Sequence, residues 1–468
     1  MSPSANARAP NDPSLPQMAI TLNERSMAAI FEAELSRTAS AETKVETCDI
    51  RRVKYKPGKA CRILYGLRVR PPGHGPRELL YSTRVFHPGQ SPAQYAKAMA
   101  RPLEAPPFGP PVLHLEAQST VAWAVPNDRK LDGLAALLDA ERLATEALPR
   151  IVTRGDASWR IVEATPRIMH LAPEYTGCAR VDVRLENGCG RRRVATVFGK
   201  TYRDGAAERV HATSQRLWHS DSRQSGRLHI AEPLAIEKRH QLLWQEGLSG
   251  RPMLSDDSGV GVPATLIEPA ALAVAALHGA DIDCPPGPTV GETLRQLEKL
   301  RELTAQLRPS CAARVGAVVD ELTLRAGDVD DEPLACLHGD LHPKNLLVDG
   351  ARVSIIDLDD LARGAPLFDV GGFCAVLLHR SLSAGVALGD AMRAIARFLA
   401  CYRRHVLWRV SNDQIVWHTA AALLVDRIYS CFTRLKPGQV RLVDELADLA
   451  QAVLLRDAMA LEESWPRR

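Results

Sequence analysis

In the segment LHGDLHPKNLLVDGARVSIIDLDD (337–360), two polar clusters bracket two apolar runs. Asp340 and Asn345 lie five positions apart, and Asp357 follows Asn345 by twelve. Two carboxylates and an amide oxygen suit magnesium, a hard cation that takes oxygen ligands and keeps waters and phosphate oxygens in its remaining positions. One carboxylate can instead take the proton of an attacking hydroxyl while the other holds the metal, the division of labour in phosphoryl transfer.

For this chemistry the chain must bring Asp357 back beside Asp340. The local pattern predicts how: LACLH is a short buried strand, GDLHPKN a loop, and LLV and VSIID two strands joined by the turn DGAR. DLDDLARG then leaves as a second loop. Both polar clusters fall at strand ends, where a rigid scaffold can hold side chains against a ligand.

HGDLHPKN followed by IIDLDD resembles the catalytic and metal-binding loops of the aminoglycoside phosphotransferase and choline kinase family, whose fold is similar to that of protein kinases. The resemblance implies Asp340 as catalytic base, Asn345 and Asp357 as magnesium ligands, and His338 as a structural residue at the loop entrance. His342 falls where protein kinases place a Lys near the transferred phosphate, which makes it a candidate hydrogen-bond donor there. GAPLFDVGGF (364–373) resembles the family segment whose Asp braces the catalytic loop, here Asp369. ALAVAALHGADI (271–282) resembles the helix that precedes that loop, with His278 a packed or capping residue. Alone, HGD or DLD is an ordinary turn; the joint pattern carries the specificity.

The same resemblance asks for an amino-terminal sheet that grips ATP. RRVATVFGKTYRD (192–204) places Lys200 on an alternating strand, the position that holds the α- and β-phosphates. Glu208, in the helix-like GAAERVHATSQRLWH, is the candidate that orients it; a Glu in a first helical turn can also simply favour the helix dipole. EYTGCARVDVRL sits where the family covers the phosphates, with Gly177 as its only glycine, so spacing alone makes no phosphate cradle. HQLLWQEGLSGRP (240–252) resembles the hinge, with Trp244 and Glu246 at the nucleotide.

The expected architecture is α+β: a two-lobed protein-kinase-like fold with an extra β-rich N-terminal domain. Residues 1–20, rich in Pro, Ser and Asn, read as a disordered tail and 21–150 as the extra domain. Residues 151–248 form the ATP-binding sheet and 249–468 a helical lobe with the catalytic loops. A chain of 468 residues calls for more than one domain. Within the extra domain KACRILYGLRVR and LLYSTRVFHPGQ repeat the texture of GCARVDVRLENG and VATVFGKTYRDG. Cys61 precedes Arg84 by 23 positions and Cys178 precedes Lys200 by 22, with Phe86 and Tyr202 two positions further on. A duplicated sheet without its own HGDxxxxN would serve as a cap, a homodimer surface or a substrate gate.

Composition bounds the function. With 46% hydrophobic and 24% charged residues the chain is globular, and a net charge of +4 with no long basic run gives little support to nucleic acid as partner. Ten cysteines without a CxxC pair or zinc spacing, and an amino terminus without an apolar signal core, point to the cytoplasm. No run of 18 apolar residues suggests a membrane span. The expected activity is ATP- and magnesium-dependent transfer of a γ-phosphate to the hydroxyl of a small molecule of the sugar, amino sugar or amino alcohol class. Asp359 and Asp360 suit a cationic acceptor, and equally a solvated loop. A nucleotide-binding pseudoenzyme or scaffold with a partner-binding N-terminal domain is the alternative, and the intact Asp340, Asn345 and Asp357 set argues against it.

Overall fold

The computed structural model describes residues 10–39, 42–254, 261–329 and 332–455. It is a mixture of antiparallel sheets and helices, divided into two compact units. One comprises residues up to 211 with 233–247 and 433–437; the other comprises 212–232, 248–432 and the chain from 438 onward.

The first unit holds two five-stranded antiparallel sheets of identical connectivity. Strands β1 (Lys44–Lys56), β2 (Ala60–Arg70), β3 (Arg77–Val85), β4 (Val112–Leu115) and β5 (Thr120–Ala124) are ordered β1-β2-β3-β5-β4. Strands β6 (Trp159–Ala172), β7 (Thr176–Asn187), β8 (Arg192–Tyr202), β9 (Pro233–Glu237) and β10 (Leu242–Glu246) are ordered β6-β7-β8-β10-β9. In each sheet a helix follows the third strand, Ser91–Met99 in one and Ala206–Trp218 in the other. In each, the last hairpin turns through a left-handed residue, Ser119 (φ 47°) or Gln241 (φ 49°).

The register aligns the two sheets one residue differently from the sequence spacing. Arg84 pairs with Arg62 on one side and Val121 on the other, while Lys200 pairs with Cys178 and Leu243. Val121 and Leu243 each lie two residues past the left-handed turn residue, so Arg84 and Lys200 occupy equivalent positions. The counterpart of Cys178 is therefore Arg62 rather than Cys61, and because side chains alternate along a strand, the slip moves Cys61 to the other face. The unequal spacings of 23 and 22 residues already carried that slip.

A single core joins the two sheets. Leu64 of β2 clusters with Leu131, Leu134 and Leu137, and these pack on Val181, Val197 and Trp244 of the second sheet. The boundary expected near residue 150 thus separates sheets, not compact units. Residues 1–9 of the expected tail lie outside the described residues. Residues 10–20 depart from that expectation: Leu15 and Met18 are buried, and Asp12 accepts from the Tyr55 hydroxyl at 2.7 Å and the Gly58 amide at 2.9 Å. Two apolar residues in a polar stretch suffice to dock it.

The second unit is mainly helical. The long helices Ala264–His278, Val290–Leu307, Leu367–Ser383 and Leu388–His405 contribute to one large core. Short strands lie against it: β11 (Arg251–Pro252), β12 (Ala335–Leu337), β13 (Leu346–Asp349), β14 (Arg352–Ile355) and β15 (Ala362–Gly364). β13 and β14 form the expected hairpin, and β12 pairs with β15. Among the described residues no helix is long and apolar enough to cross a membrane.

Candidate functional site

The loop 338–345 leaves β12 and returns through the β13–β14 hairpin. Its entrance is fixed by Asp369, a buried carboxylate in the first turn of the helix Leu367–Ser383. Asp369 accepts the His338 amide at 2.6 Å and the Gly339 amide at 3.0 Å. His278 Nε2 lies 3.0 Å from the same carboxylate, and its Nδ1 meets the Tyr402 hydroxyl at 2.7 Å. Burial alone would push the Asp369 carboxyl up, but its hydrogen bonds and the neighbouring histidines hold it below the usual carboxylate range. The bracing role of Asp369 and the packed role of His278 are thus both visible as contacts.

His338, fully buried, ties the two loops together: Nε2 donates to the Ile356 carbonyl (2.9 Å) and Nδ1 accepts the Asp340 amide (3.3 Å), which one neutral tautomer satisfies. The Ile356 amide in turn donates to the Asn345 carbonyl at 2.9 Å. These bonds bring Asp340, Asn345 and Asp357 to one end of the hairpin. Asn345 Nδ2 donates to the Asp340 carbonyl at 3.1 Å, which fixes the amide and turns its oxygen the other way. Asp357 is held at φ 63°, a left-handed conformation that a non-glycine residue adopts at a cost and that recurs at functional sites. Gly339, at φ 83°, passes so close to Asp360 that a Cβ would lie 2.3 Å from its carbonyl oxygen.

The Asp340 side chain is 60% exposed, and His342 Nε2 stands 3.8 Å from its Oδ2, too far for a hydrogen bond. Burial, followed by opposing effects of Asp340 and of the nearby positive groups, holds the His342 pKa below the ordinary imidazole value. Asp360 is pushed up by desolvation and then by Asp359, Asp340 and Asp357, so these carboxylates feel one another. A cation among them would relieve that repulsion, and the two carboxylates and one amide of the expected set fit a magnesium ion that completes its shell with water and phosphate. Among the described residues no three His, Cys, Asp or Glu side chains converge into a self-sufficient metal cage.

Beside Asp340 opens a cavity of about 240 Å³, lined among others by Thr293, Gln296, Phe368, His418, Asp426 and Arg427. Asp426 and Arg427 sit on a π-helical turn, Leu423–Ile428, an irregularity often found at functional sites. Sequence reasoning missed this wall, because a π turn leaves no periodic signature and its two charges read as solvated helix surface. His418 is fixed by a 2.7 Å contact to buried Glu332.

In the first unit Lys200 lies on β8, only 8% exposed, as the strand pattern predicts. Glu208 opens the next helix and meets Lys238 at 3.3 Å, both largely exposed. Two nucleotide candidates answer to packing instead. Gly177 lies inside β7 rather than at the turn, and a Cβ there would meet Leu134 at 3.1 Å and Thr201 at 3.3 Å. Trp244 is fully buried, its indole donating to Glu237 Oε1 at 2.6 Å and its ring filling the space a side chain at Gly199 would need. Only its backbone is left for a nucleotide. Glu246 ends β10 opposite Val197 and is partly exposed.

Among curated proteins none matches the chain in sequence. Solved structures with a similar course include a thermostable mutant of the aminoglycoside phosphotransferase APH(4)-Ia in apo form (15% identity, 62% of this chain and 94% of that one, TM-score 0.44). A putative aminoglycoside phosphotransferase from Ralstonia eutropha gives 17% identity over 62% and 92% of the two chains, with a TM-score of 0.44. A choline/ethanolamine kinase family protein from Mesorhizobium loti gives 15% over 64% and 88%, with a TM-score of 0.37. Residues 180–405 match the model of the phosphotransferase enzyme family, and over that span the likeness to aminoglycoside phosphotransferases and choline kinases carried by HGDLHPKN and IIDLDD is borne out.

Proposed function

We propose that the chain is an ATP- and magnesium-dependent phosphotransferase that moves a γ-phosphate to a hydroxyl of a small molecule. The observation that carries this reading is Asp340: an exposed carboxylate on a loop braced from below by Asp369 and His338, at the wall of a cavity. The acceptor oxygen attacks the γ-phosphorus, the bond to the β–γ bridging oxygen breaks, ADP leaves, and the hydroxyl proton passes to the Asp340 carboxylate. Asn345 and Asp357 would hold the magnesium ion, which when bound shields the phosphate charge. Lys200 is assigned the α- and β-phosphates, with Glu208 and the β10 end, including Glu246, around the nucleotide. His342, kept neutral by burial, can offer one N–H to the transferred group.

The acceptor cavity is lined by the carboxylates Asp340, Asp369 and Asp426 against one guanidinium, Arg427, which supports a cationic acceptor such as an amino sugar or amino alcohol. Ten cysteines without a CxxC pair or zinc spacing suit a reducing cytoplasm. ADP release by the purified protein across aminoglycosides, amino alcohols, neutral sugars and nucleosides tests the reading. Release above the acceptor-free control with an amine-bearing alcohol is the expected result; release with a neutral class alone removes the cationic assignment, and none with any class removes the activity.

A further inference from the structure

A strand position can keep its place in a sheet and change its partner. Arg84 stands in β3 where Lys200 stands in β8, yet the sequence holds no second HGDxxxxN loop for a nucleotide at Arg84 to serve. Its guanidinium goes instead to Glu174 at 2.7 Å, and Arg62 (3.3 Å) and Arg129 (3.4 Å) reach the same carboxylate oxygen.

Glu174 belongs to the other sheet. It is the middle residue of the turn 173–175 between β6 and β7, held at φ 65° with its side chain 3% exposed. Its amide donates to the Asp128 carboxylate at 3.2 Å, and Asp128 in turn accepts from Ser82 of β3 at 2.6 Å. The next residue, Tyr175, lies between two guanidinium groups, Arg62 at 4.5 Å and Arg203 at 4.1 Å from its ring centre. The turn sits at the Lys200 end of its sheet: Thr176 pairs with Tyr202, and Cys178 with Lys200.

We propose that Glu174 is a positioning residue for the nucleotide: Arg62 and Arg84 of the first sheet, with Arg129 from the segment that follows it, clamp the β6–β7 turn, the segment that faces the phosphates when Lys200 holds them. This rests on the nucleotide reading of Lys200. The turn carries no glycine, so it has little intrinsic freedom to mould itself around a phosphate, and an external clamp supplies the fixed geometry instead. Moving it would strand a buried carboxylate among unpaired guanidiniums, which the low-dielectric interior resists. Three guanidiniums against the Glu174 and Asp128 carboxylates still leave the clamp net positive, a field that favours a polyphosphate nearby. The duplicated sheet thus keeps a basic residue at the lysine position and uses it as a latch, with no ligand of its own.

The test uses the full chain with Glu174→Gln, which keeps shape and removes charge. Amide exchange at Tyr175 and Thr176 in the nucleotide-free protein is expected to speed up at least about tenfold. KM for ATP is expected to rise by about tenfold or more while kcat and the acceptor KM change less, since the chemistry stays in place and only the turn is misplaced. Arg84→Lys in a chain that keeps Glu174 preserves the ion pair and should leave both exchange and the ATP KM close to wild type. If Glu174→Gln does not fold, Arg129→Gln removes one partly exposed member of the clamp and should give the same pattern at smaller amplitude. Unchanged exchange and unchanged KM in a folded variant overturn the clamp. Faster exchange with an ATP KM that neither Glu174→Gln nor Lys200→Ala alters overturns the nucleotide assignment and leaves the clamp standing as a mechanical contact.

Discussion

Asp369 shows how one buried carboxylate can set the position of another, Asp340, that it never touches. It accepts the His338 and Gly339 amides and the His278 ring, so three donors lose their partner if it is removed. Each buried donor left unpaired costs about 1–3 kcal/mol, so Asp369→Ala should lower stability by roughly 3 kcal/mol or more, read by urea unfolding. The pH dependence follows from the depressed carboxyl. Its contribution is fully present above the ordinary carboxylate value of 3.8 and is lost as pH falls through the lower folded value, because the folded state there resists a proton that the unfolded state accepts. Thermal unfolding followed from neutral to acid pH should therefore fall more steeply in the wild type than in Asp369→Asn below about pH 4. Parallel curves would show that the carboxylate is not the acid-sensitive brace.

At the scale of elements, two short ladders do the positioning. β12 pairs with β15 and β13 with β14, and the loop between them closes against Asp360 at Gly339. Gly339→Ala meets two penalties at once, a left-handed φ of 83° and a carbonyl 2.3 Å from the new Cβ. Strain of this kind costs about 1–3 kcal/mol, so this variant should unfold earlier and lose kcat through a displaced Asp340; a variant with wild-type kcat would show that the loop tolerates the shift. This part of the site was legible in the sequence because everything it needs lies within 337–360, where strand, turn and loop signals follow one another. Gly177 and Trp244 were not. Their environment is set by Leu134 and Leu137, from a short helix some forty residues and more upstream of Gly177, and no local pattern announces which face of β7 or β10 that helix will cover. The wall made by Asp426 and Arg427 was hidden for a similar reason, since only packing against the cavity turns two ordinary charges into lining residues.

For the molecule as a whole, the two sheets of one connectivity are the main finding, and their shared core decides how the extra region can behave. Leu64 packs into the second sheet's core, and Arg62 and Arg84 neutralise Glu174. A variant lacking residues 1–125 would leave that carboxylate buried with two of its three partners gone, and losing buried ion-pair partners costs about 3–5 kcal/mol. It should be insoluble or melt well below the full chain, judged by circular dichroism and gel filtration; a monomer with the full-chain melting temperature would show that the first sheet is dispensable to the second. The repeat itself was visible as a texture of strands, while its register and its joint core were not, because one-residue alignment and inter-sheet packing depend on pairings that only the folded chain makes.

The central claim, that Asp340 takes the proton of an acceptor hydroxyl, is tested most directly by Asp340→Asn, assayed for both phosphoryl transfer and nucleotide binding. With an acceptor identified by ADP release, the carboxamide should lower kcat by about two to four orders of magnitude, the usual span of a lost general base. Magnesium-ATP affinity, read by calorimetry, should stay close to wild type, since the proton and not the nucleotide is that side chain's partner. Near-normal turnover in this variant would contradict the account outright.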